Sequence, residues 1–242
     1  MNILVTAGNT LAPIDRVRCL TNIFTGRTGA QIALHAYQRG HHVTLLTSQP
    51  DVVNELHQDN EVLNERWTVC RYRTFNDLQA RMAELVGRPG FDTIVHCAAV
   101  SDYLVDGVFA PEPGTSFQPN ERRWEGSPPS LANMAAGKVK SDASELWLRL
   151  VRAPKLIDRV RTDWNFHGIL VKFKLEVGVG DERLLEIAEQ SRRHSDADLM
   201  VANTLEGSAH WAYLGPLDGK YERVSRRELA ARLVEVMERG NG

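Results

Sequence analysis

Apolar positions along the chain fall into short runs separated by stretches with helical spacing. Ile3-Leu4-Val5 is a continuous apolar run and reads as a buried strand. It ends in the turn cluster Thr6-Ala7-Gly8-Asn9-Thr10. After a loop containing Pro13 and Arg18, a second cluster, Thr25-Gly26-Arg27-Thr28-Gly29, opens a helix. That helix is predicted from about Gly26 to Arg39, with Ala30, Ala33, Leu34 and Tyr37 on one face and Gly40 placed to cap it. Backbone N–H groups at such turns and at a helix N-terminus favour anions, so this region predicts a nucleotide or phosphate pocket at the C-terminal edge of a parallel sheet.

The same patterning continues. Strands are predicted at His42–Thr47, Trp67–Tyr72 and Phe91–Cys97, with a short helix within 51–66 and another helix over Asn76–Val86. Further on come a strand at Leu146–Leu150, a helix that Pro154 can start at its first position, and a strand over Gly168–Leu175. A helix over Asp181–Arg193, a strand over Asp198–Asn203, a hairpin from Trp211–Leu214 and Lys220–Val224, and a closing helix over Arg226–Arg239 complete the chain. This alternation predicts an α/β fold: a Rossmann-like, doubly wound, mostly parallel sheet. The whole chain, 1–242, reads as a single domain.

Residues 106–137 break the rhythm. Half of the ten prolines lie between 111 and 129 and no periodic apolar face is visible, so the segment reads as a lid or flap inserted in the domain. Lys138 and Lys140 follow it and can fold over phosphates or be an ordinary solvated pair. Asp102, after the small residues Ala98 and Ala99, stands at a pocket mouth or caps the next turn. Phe173 can stack on a nucleobase or fill the core.

A formal net charge of −2 with no basic stripe excludes a polyanion partner such as nucleic acid. No apolar run approaches a membrane span, and the start lacks a basic, signal-type leader, so a cytoplasmic protein is expected. Cys19, Cys70 and Cys97 form no CxxC pair and read as reduced thiols. No histidine spacing suits a metal. The first turn holds only Gly8 rather than G-x-G-x-x-G, and the second strand ends Leu46-Thr47-Ser48 with no acid for a ribose. A Tyr-x-x-x-Lys pair, a GxSxG elbow, an HExxH motif and a P-loop are all missing, which argues against a nicotinamide-dependent oxidoreductase and several hydrolase classes.

The motifs that remain carry a resemblance. VTAGNT followed by PID-x-VR and TN-x-x-TG-x-x-G resembles the VTxGGT and RxxTNxSSGxxG signature of the phosphopantothenoylcysteine synthetase family. Ala98–Tyr103 (AAVSDY), Lys138–Ser141, Ala153–Ile157 (APKLI), Phe173–Glu176 (FKLE) and Asp198–Asn203 (DLMVAN) follow in family order along nearly the whole chain. The chain is similar to the stand-alone form without a flavin-containing decarboxylase domain.

The resemblance implies a ligase that joins 4′-phosphopantothenate to L-cysteine through an acyl-nucleotide, driven by CTP or ATP with Mg²⁺, with CTP expected as the preferred nucleotide. It implies a homodimer whose lid loops reach across the interface. It also implies catalytic roles for Asn22 and Lys138 and substrate contacts from Arg18, Asn22, Ala98 and Ala99. Nucleotide contacts would come from Gly8, Asn9, Thr10, Thr25, Gly26, Asp102, Lys138, Pro154, Lys155, Leu156, Ile157 and Phe173. The chain departs from the family pattern in several places. Gly8-Asn9 stands for Gly-Gly, Phe24-Thr25 for Ser-Ser, and the flap ends Lys-Val-Lys-Ser. Ser191 and Ser195 stand where many bacterial relatives place lysines.

Overall fold

A computed structural model describes residues 1–57, 63–125 and 128–240. Residues 58–62 of the stretch read as holding a short helix, residues 126 and 127 of the lid segment, and 241–242 lie outside the described residues.

In chain order the elements are β1 (Asn2–Ala7), β2 (Leu11–Pro13), β3 (Cys19–Thr21), α1 (Arg27–Gln38), β4 (His42–Thr47), α2 (Asp51–Leu56), β5 (Trp67–Arg71), α3 (Phe75–Val86) and β6 (Thr93–His96). There follow β7 (Tyr103–Pro111), β8 (Ser116–Gln118), β9 (Arg123–Glu125), β10 (Leu131–Asn133) and β11 (Trp147–Arg152). The chain closes with α4 (Leu156–Thr162), β12 (Ile169–Glu176), α5 (Asp181–His194), β13 (Leu199–Thr204), β14 (Trp211–Leu217), β15 (Lys220–Ser225) and α6 (Leu229–Gly240). They divide into two compact units. One comprises Met1–Thr10, Ile23–Val100 and Lys155–Gly242; the other comprises Leu11–Asn22 and Ser101–Pro154.

The first unit is an eight-stranded sheet in the order β15-β14-β13-β12-β6-β1-β4-β5. β13, β12, β6, β1, β4 and β5 run parallel, and β14 and β15 add an antiparallel hairpin at one edge. The order reverses between β1 and β6, where a doubly wound sheet opens a crevice at its strands' C-terminal ends. Ile3, Val5 and Ala7 of β1 pack against Ala30, Ile32, Ala33 and Leu34 of α1, together with Leu229, Leu233 and Met237 of α6. On the opposite face Leu184 and Ala188 of α5 pack against Met200 and Ala202. Three alanines among α1's buried residues keep its side chains short, which draws the helix close to the sheet. α3 starts with a capping box, in which the Thr74 hydroxyl accepts from the Asp77 N–H and the Asp77 carboxylate accepts from the Thr74 N–H.

The second unit is built from β2–β3, the three-stranded antiparallel sheet β10-β7-β11 and the ribbon β8–β9. The 106–137 segment is therefore strand-rich rather than irregular. Its lack of alternation has a physical cause: past β7 its strands β8, β9 and β10 are three residues each, and an aromatic cluster replaces a periodic face. Phe117 meets Trp124 and Trp147 edge-on, at ring-centroid distances of 5.3 and 4.8 Å. The predicted strand at 146–150 is β11 and joins this small sheet. Two predicted starts also shift. Lys155 caps α4, so Pro154 precedes the helix instead of opening it, and α6 begins at Leu229.

One contact sets where α1 can begin. Gly26 is the N-cap in the left-handed region, at φ 80°, and a Cβ on it would lie 2.3 Å from the Gly8 amide nitrogen and 2.7 Å from its Cα. Backbone atoms cannot rotate away from such a clash. A Gly26→Ala substitution is therefore expected to cost roughly 2–4 kcal/mol, combining left-handed strain with overpacking. Gly219→Ala, also at positive φ but facing open space, should cost only about 1–2 kcal/mol. Urea unfolding of the two variants beside the wild type checks the ranking.

Candidate functional site

In the first unit a cavity of about 340 Å³ opens at the C-terminal ends of β1, β6, β12 and β13. Gly8, Thr25, Gly26, Ala98, Ala99 and Phe173 all line it, so the structure brings together these residues singled out in the sequence. Phe173 also packs against the main core, so one ring is both a core residue and a wall of the cavity. Sequence reasoning missed Phe24, Thr28, Lys174, Asn203 and Arg226 as lining residues. The signal for Asn203 was its place at the end of a buried strand, the usual ligand-facing edge.

The cavity floor is a turn closed on itself. The Ala99 N–H donates to the Gly8 carbonyl at 2.8 Å, and the Thr10 N–H donates to the Ala99 carbonyl at 3.3 Å. Asn9 donates its N–H to the Ser48 hydroxyl at 2.9 Å, and that hydroxyl donates to the Asn9 side-chain oxygen at 3.1 Å. Asn9 and Thr10 are buried. Their amides are therefore spent within the fold, which corrects the expectation that this turn offers them to phosphate. The start of α1 lines the cavity too, and that helix has no side-chain cap and no acidic residue in its first turn. Lys155 is exposed at the start of α4 and Leu156 and Ile157 are buried in the core, so none of the three lines this cavity.

A row of polar groups supports the floor from the other sheet face. The Thr6 hydroxyl accepts from the Ala98 N–H at 3.2 Å and lies 3.0 Å from His96 Nδ1. His96 is 8 % exposed, and burial, with the Lys172 charge beside it, lowers its pKa to about 4. Lys172 donates to the Ser191 carbonyl at 2.9 Å and to the Ser195 hydroxyl, which in turn donates to Asp158 at 2.5 Å. Ser191 on α5 and Ser195 at its C-cap thus receive a cation from β12. Burial lowers the pKa of Lys172. Cys97, at the cavity wall, is pushed up to about 12 by burial and is a wall group rather than a thiolate nucleophile at neutral pH.

The second unit carries Arg18, Asn22, Asp102, Lys138 and Pro154. Its organising residue is Asp15. The Asp15 carboxylate accepts from the N–H groups of Val17 and Arg18 at 2.8 and 2.7 Å, from the Arg18 guanidinium at 2.7 Å, and from the Val139 N–H at 3.1 Å. Arg18 also donates to the Val139 carbonyl at 2.9 Å, and the Arg16 N–H donates to the Gly137 carbonyl at 3.1 Å. Lys138, itself exposed, therefore sits on a segment tied on both sides to the β2–β3 turn, and Arg18 is brought beside it. The Arg18 guanidinium holds the Asp15 carboxyl well below the usual carboxylate range. Asp102 is exposed, its carbonyl accepting from the Ala153 N–H at 2.9 Å, and Asn22 is half-buried after β3. Among the described residues no group of three or more His, Cys, Asp or Glu could hold a metal, and no helix is long and apolar enough to cross a membrane.

Residues 1–110 match the family model described as the DNA/pantothenate metabolism flavoprotein C-terminal domain. The coenzyme A biosynthesis bifunctional protein CoaBC of Thermococcus kodakarensis is 32% identical over 243 residues, covering 98% of this chain and 51% of that protein. The chain spans about half the length of the curated relatives it matches. A crystal structure of the DNA/pantothenate metabolism flavoprotein from Streptococcus pneumoniae superposes with a TM-score of 0.76 at 27% identity, covering 98% of each chain. The C-terminal domain of a CoaBC protein shares the fold at a TM-score of 0.65 and 19% identity, over 98% of this chain and 93% of that one. Over residues 1–110 the chain matches that domain model, and over 98% of its length it is homologous to about half of a CoaBC protein.

The buried histidine gives a pH test of the floor. Folded His96 titrates near 4 against an ordinary 6.5, so the unfolded chain binds the extra proton between those values. Stability from this site is full above pH 6.5 and is lost as pH falls toward 4. Between pH 7 and pH 5 the wild type should lose roughly 2 kcal/mol from this group. His96→Asn keeps a polar partner for Thr6 and should lack that increment. Urea unfolding of both proteins at the two pH values measures the difference.

Proposed function

We propose that this chain is a phosphopantothenate–cysteine ligase of coenzyme A biosynthesis. The observation that carries the reading is the cavity at the switch point of a sheet that is homologous, over 98% of the chain, to half of a CoaBC protein. In this reading a nucleoside triphosphate binds with its phosphates at the start of α1 and its base against Phe173. The 4′-phosphopantothenate carboxylate oxygen attacks the α-phosphorus, and pyrophosphate leaves. The cysteine amine then attacks the acyl carbon of the mixed anhydride. It loses a proton as the nucleoside monophosphate departs, and an amide remains.

Each residue has a task suited to its chemistry. The uncapped N–H groups of α1 bind phosphate oxygens through hydrogen bonds and the helix dipole. Gly8, Ala98 and Ala99 keep the floor free of side chains that would push a ligand away. Asn22 donates an amide hydrogen to the developing oxyanion without competing as a nucleophile. Arg18 offers a planar fork to the phosphate or carboxylate of phosphopantothenate. Lys138 supplies a point charge to the acyl-phosphate leaving group, and Asp102 contacts the nucleotide. Mg²⁺, when bound, neutralises charge on the triphosphate, and its ligands come chiefly from the phosphates themselves. CTP is the expected nucleotide. The enzyme works in the cytoplasm as a homodimer.

The deciding experiment follows pyrophosphate release with CTP and ATP at equal concentration, with and without 4′-phosphopantothenate, and then amide formation on adding L-cysteine. Release that requires 4′-phosphopantothenate and favours CTP supports the reading; release independent of it overturns the ligase, and preference for ATP overturns the nucleotide. Lys138→Gln is expected to retain fold and nucleotide affinity but to slow at least one half-reaction by roughly 10²-fold, as loss of a transition-state donor does. Quenched-flow measurement of acyl-nucleotide formation and of cysteine capture separates the steps. Wild-type rates in both would make Lys138 a solvated surface lysine.

A further inference from the structure

Arg226, between β15 and α6, is a cavity residue that none of the sequence motifs touched. It lines the same cavity as Gly26, Arg27 and Thr28 at the start of α1. Its guanidinium donates to the Thr28 hydroxyl, and its backbone N–H is held by the His210 carbonyl at 2.8 Å. Both ends of the residue are therefore fixed, and the charge is held over α1's first turn.

This charge has no visible counterpart. Among the described residues no carboxylate pairs with Arg226. The neighbouring cations are matched: Lys174 pairs with Glu176 at 2.9 Å and Arg27 with Glu55 at 3.2 Å. α1 presents the positive end of a twelve-residue helix dipole to the same spot, with no acidic residue in its first turn and no side-chain cap. Burial lowers the guanidinium's pKa, so the charge is also poorly solvated. The thiol of Cys97 beside it is neutral at physiological pH and cannot balance it. A half-desolvated cation facing a positive helix end is an unfavourable arrangement until an anion enters between them.

We propose that Arg226 is a binding residue for the terminal phosphates of the nucleotide, gripping the pyrophosphate unit together with the α1 amides while Thr28 aims its guanidinium. The nucleotide's identity rests on the ligase reading above; the polyphosphate preference rests on Arg226, Thr28 and α1. The guanidinium retains N–H donors beyond the one given to Thr28, in a fork that matches two phosphate oxygens. A nucleoside monophosphate lacks the terminal groups and would gain little from it. After pyrophosphate forms, the same residue would hold the leaving group.

The test uses inorganic pyrophosphate and CMP as probes, titrated calorimetrically into the full chain as wild type, Arg226→Gln and Arg226→Lys. Arg226→Gln should weaken pyrophosphate binding by roughly 10- to 100-fold, the range for losing charge-assisted hydrogen bonds. CMP affinity should change less than about twofold, because one lost interaction must not reach it. Arg226→Lys should fall between, keeping the charge but losing the fork. The unliganded melting temperature of Arg226→Gln should match or exceed that of the wild type, which a merely structural arginine would not allow. Equal pyrophosphate binding by wild type and Arg226→Gln, no binding by the wild type, or equal losses for CMP and pyrophosphate would overturn the proposal. No turnover is measured, so a failure to form the amide would count against the ligase and leave this result standing.

Discussion

The approach of Gly26 to Gly8 is the constraint on which the site depends. Two backbones meet there with no room for a single carbon between them, and a third glycine extends the contact: a Cβ on Gly29 would lie 2.7 Å from the Ala7 Cβ. Together they seat the start of α1 on the end of β1. The helix can then present its first N–H groups to the crevice where the strand order reverses. The Ala98–Ala99 wall follows from the same economy of side chains, since its amide and carbonyl pair directly with Gly8 and Thr10. Thr6 and His96 brace that wall from beneath.

The second unit depends on a different interaction. One carboxylate, Asp15, collects donors from its own turn and from Val139, and so joins a hairpin near the chain's start to a segment more than a hundred residues later. Ion pairs on open surfaces contribute little, but a carboxylate that accepts several backbone N–H bonds beside a charged arginine fixes a conformation as well as adding energy. Arg18 and Lys138 are neighbours for that reason.

Much of the fold was legible because it is written in local spacing. β1, β4, α1, α3 and α5 lie where apolar periodicity puts them, since each buries one face or both against a single sheet. Less legible were features that need residues far apart in sequence. Gly8, Gly26 and Gly29 divide among themselves the tight turn, the close approach and the helix packing that a contiguous G-x-G-x-x-G supplies, but Leu11–Asn22 intervenes, so the pattern looked absent. The 106–137 segment looked irregular because three-residue strands and an aromatic cluster leave no period to read. Phe173 was legible as both core and wall. Arg226 was not, because nothing in its local sequence says that the next turn in space is Thr28. Family motifs pointed to Arg18 and Lys138, whereas only the fold shows Asp15 holding them together.

The central claim is that the close-packed glycine contact turns α1's first turn into the phosphate site. The most direct measurement is a crystal structure of the chain with a non-hydrolysable CTP analogue and Mg²⁺. The account predicts phosphate oxygens within hydrogen-bond distance of the N–H groups at the start of α1, beside Gly8 and Gly26, with the base against Phe173. Phosphates bound elsewhere, with that first turn left to solvent, would contradict it.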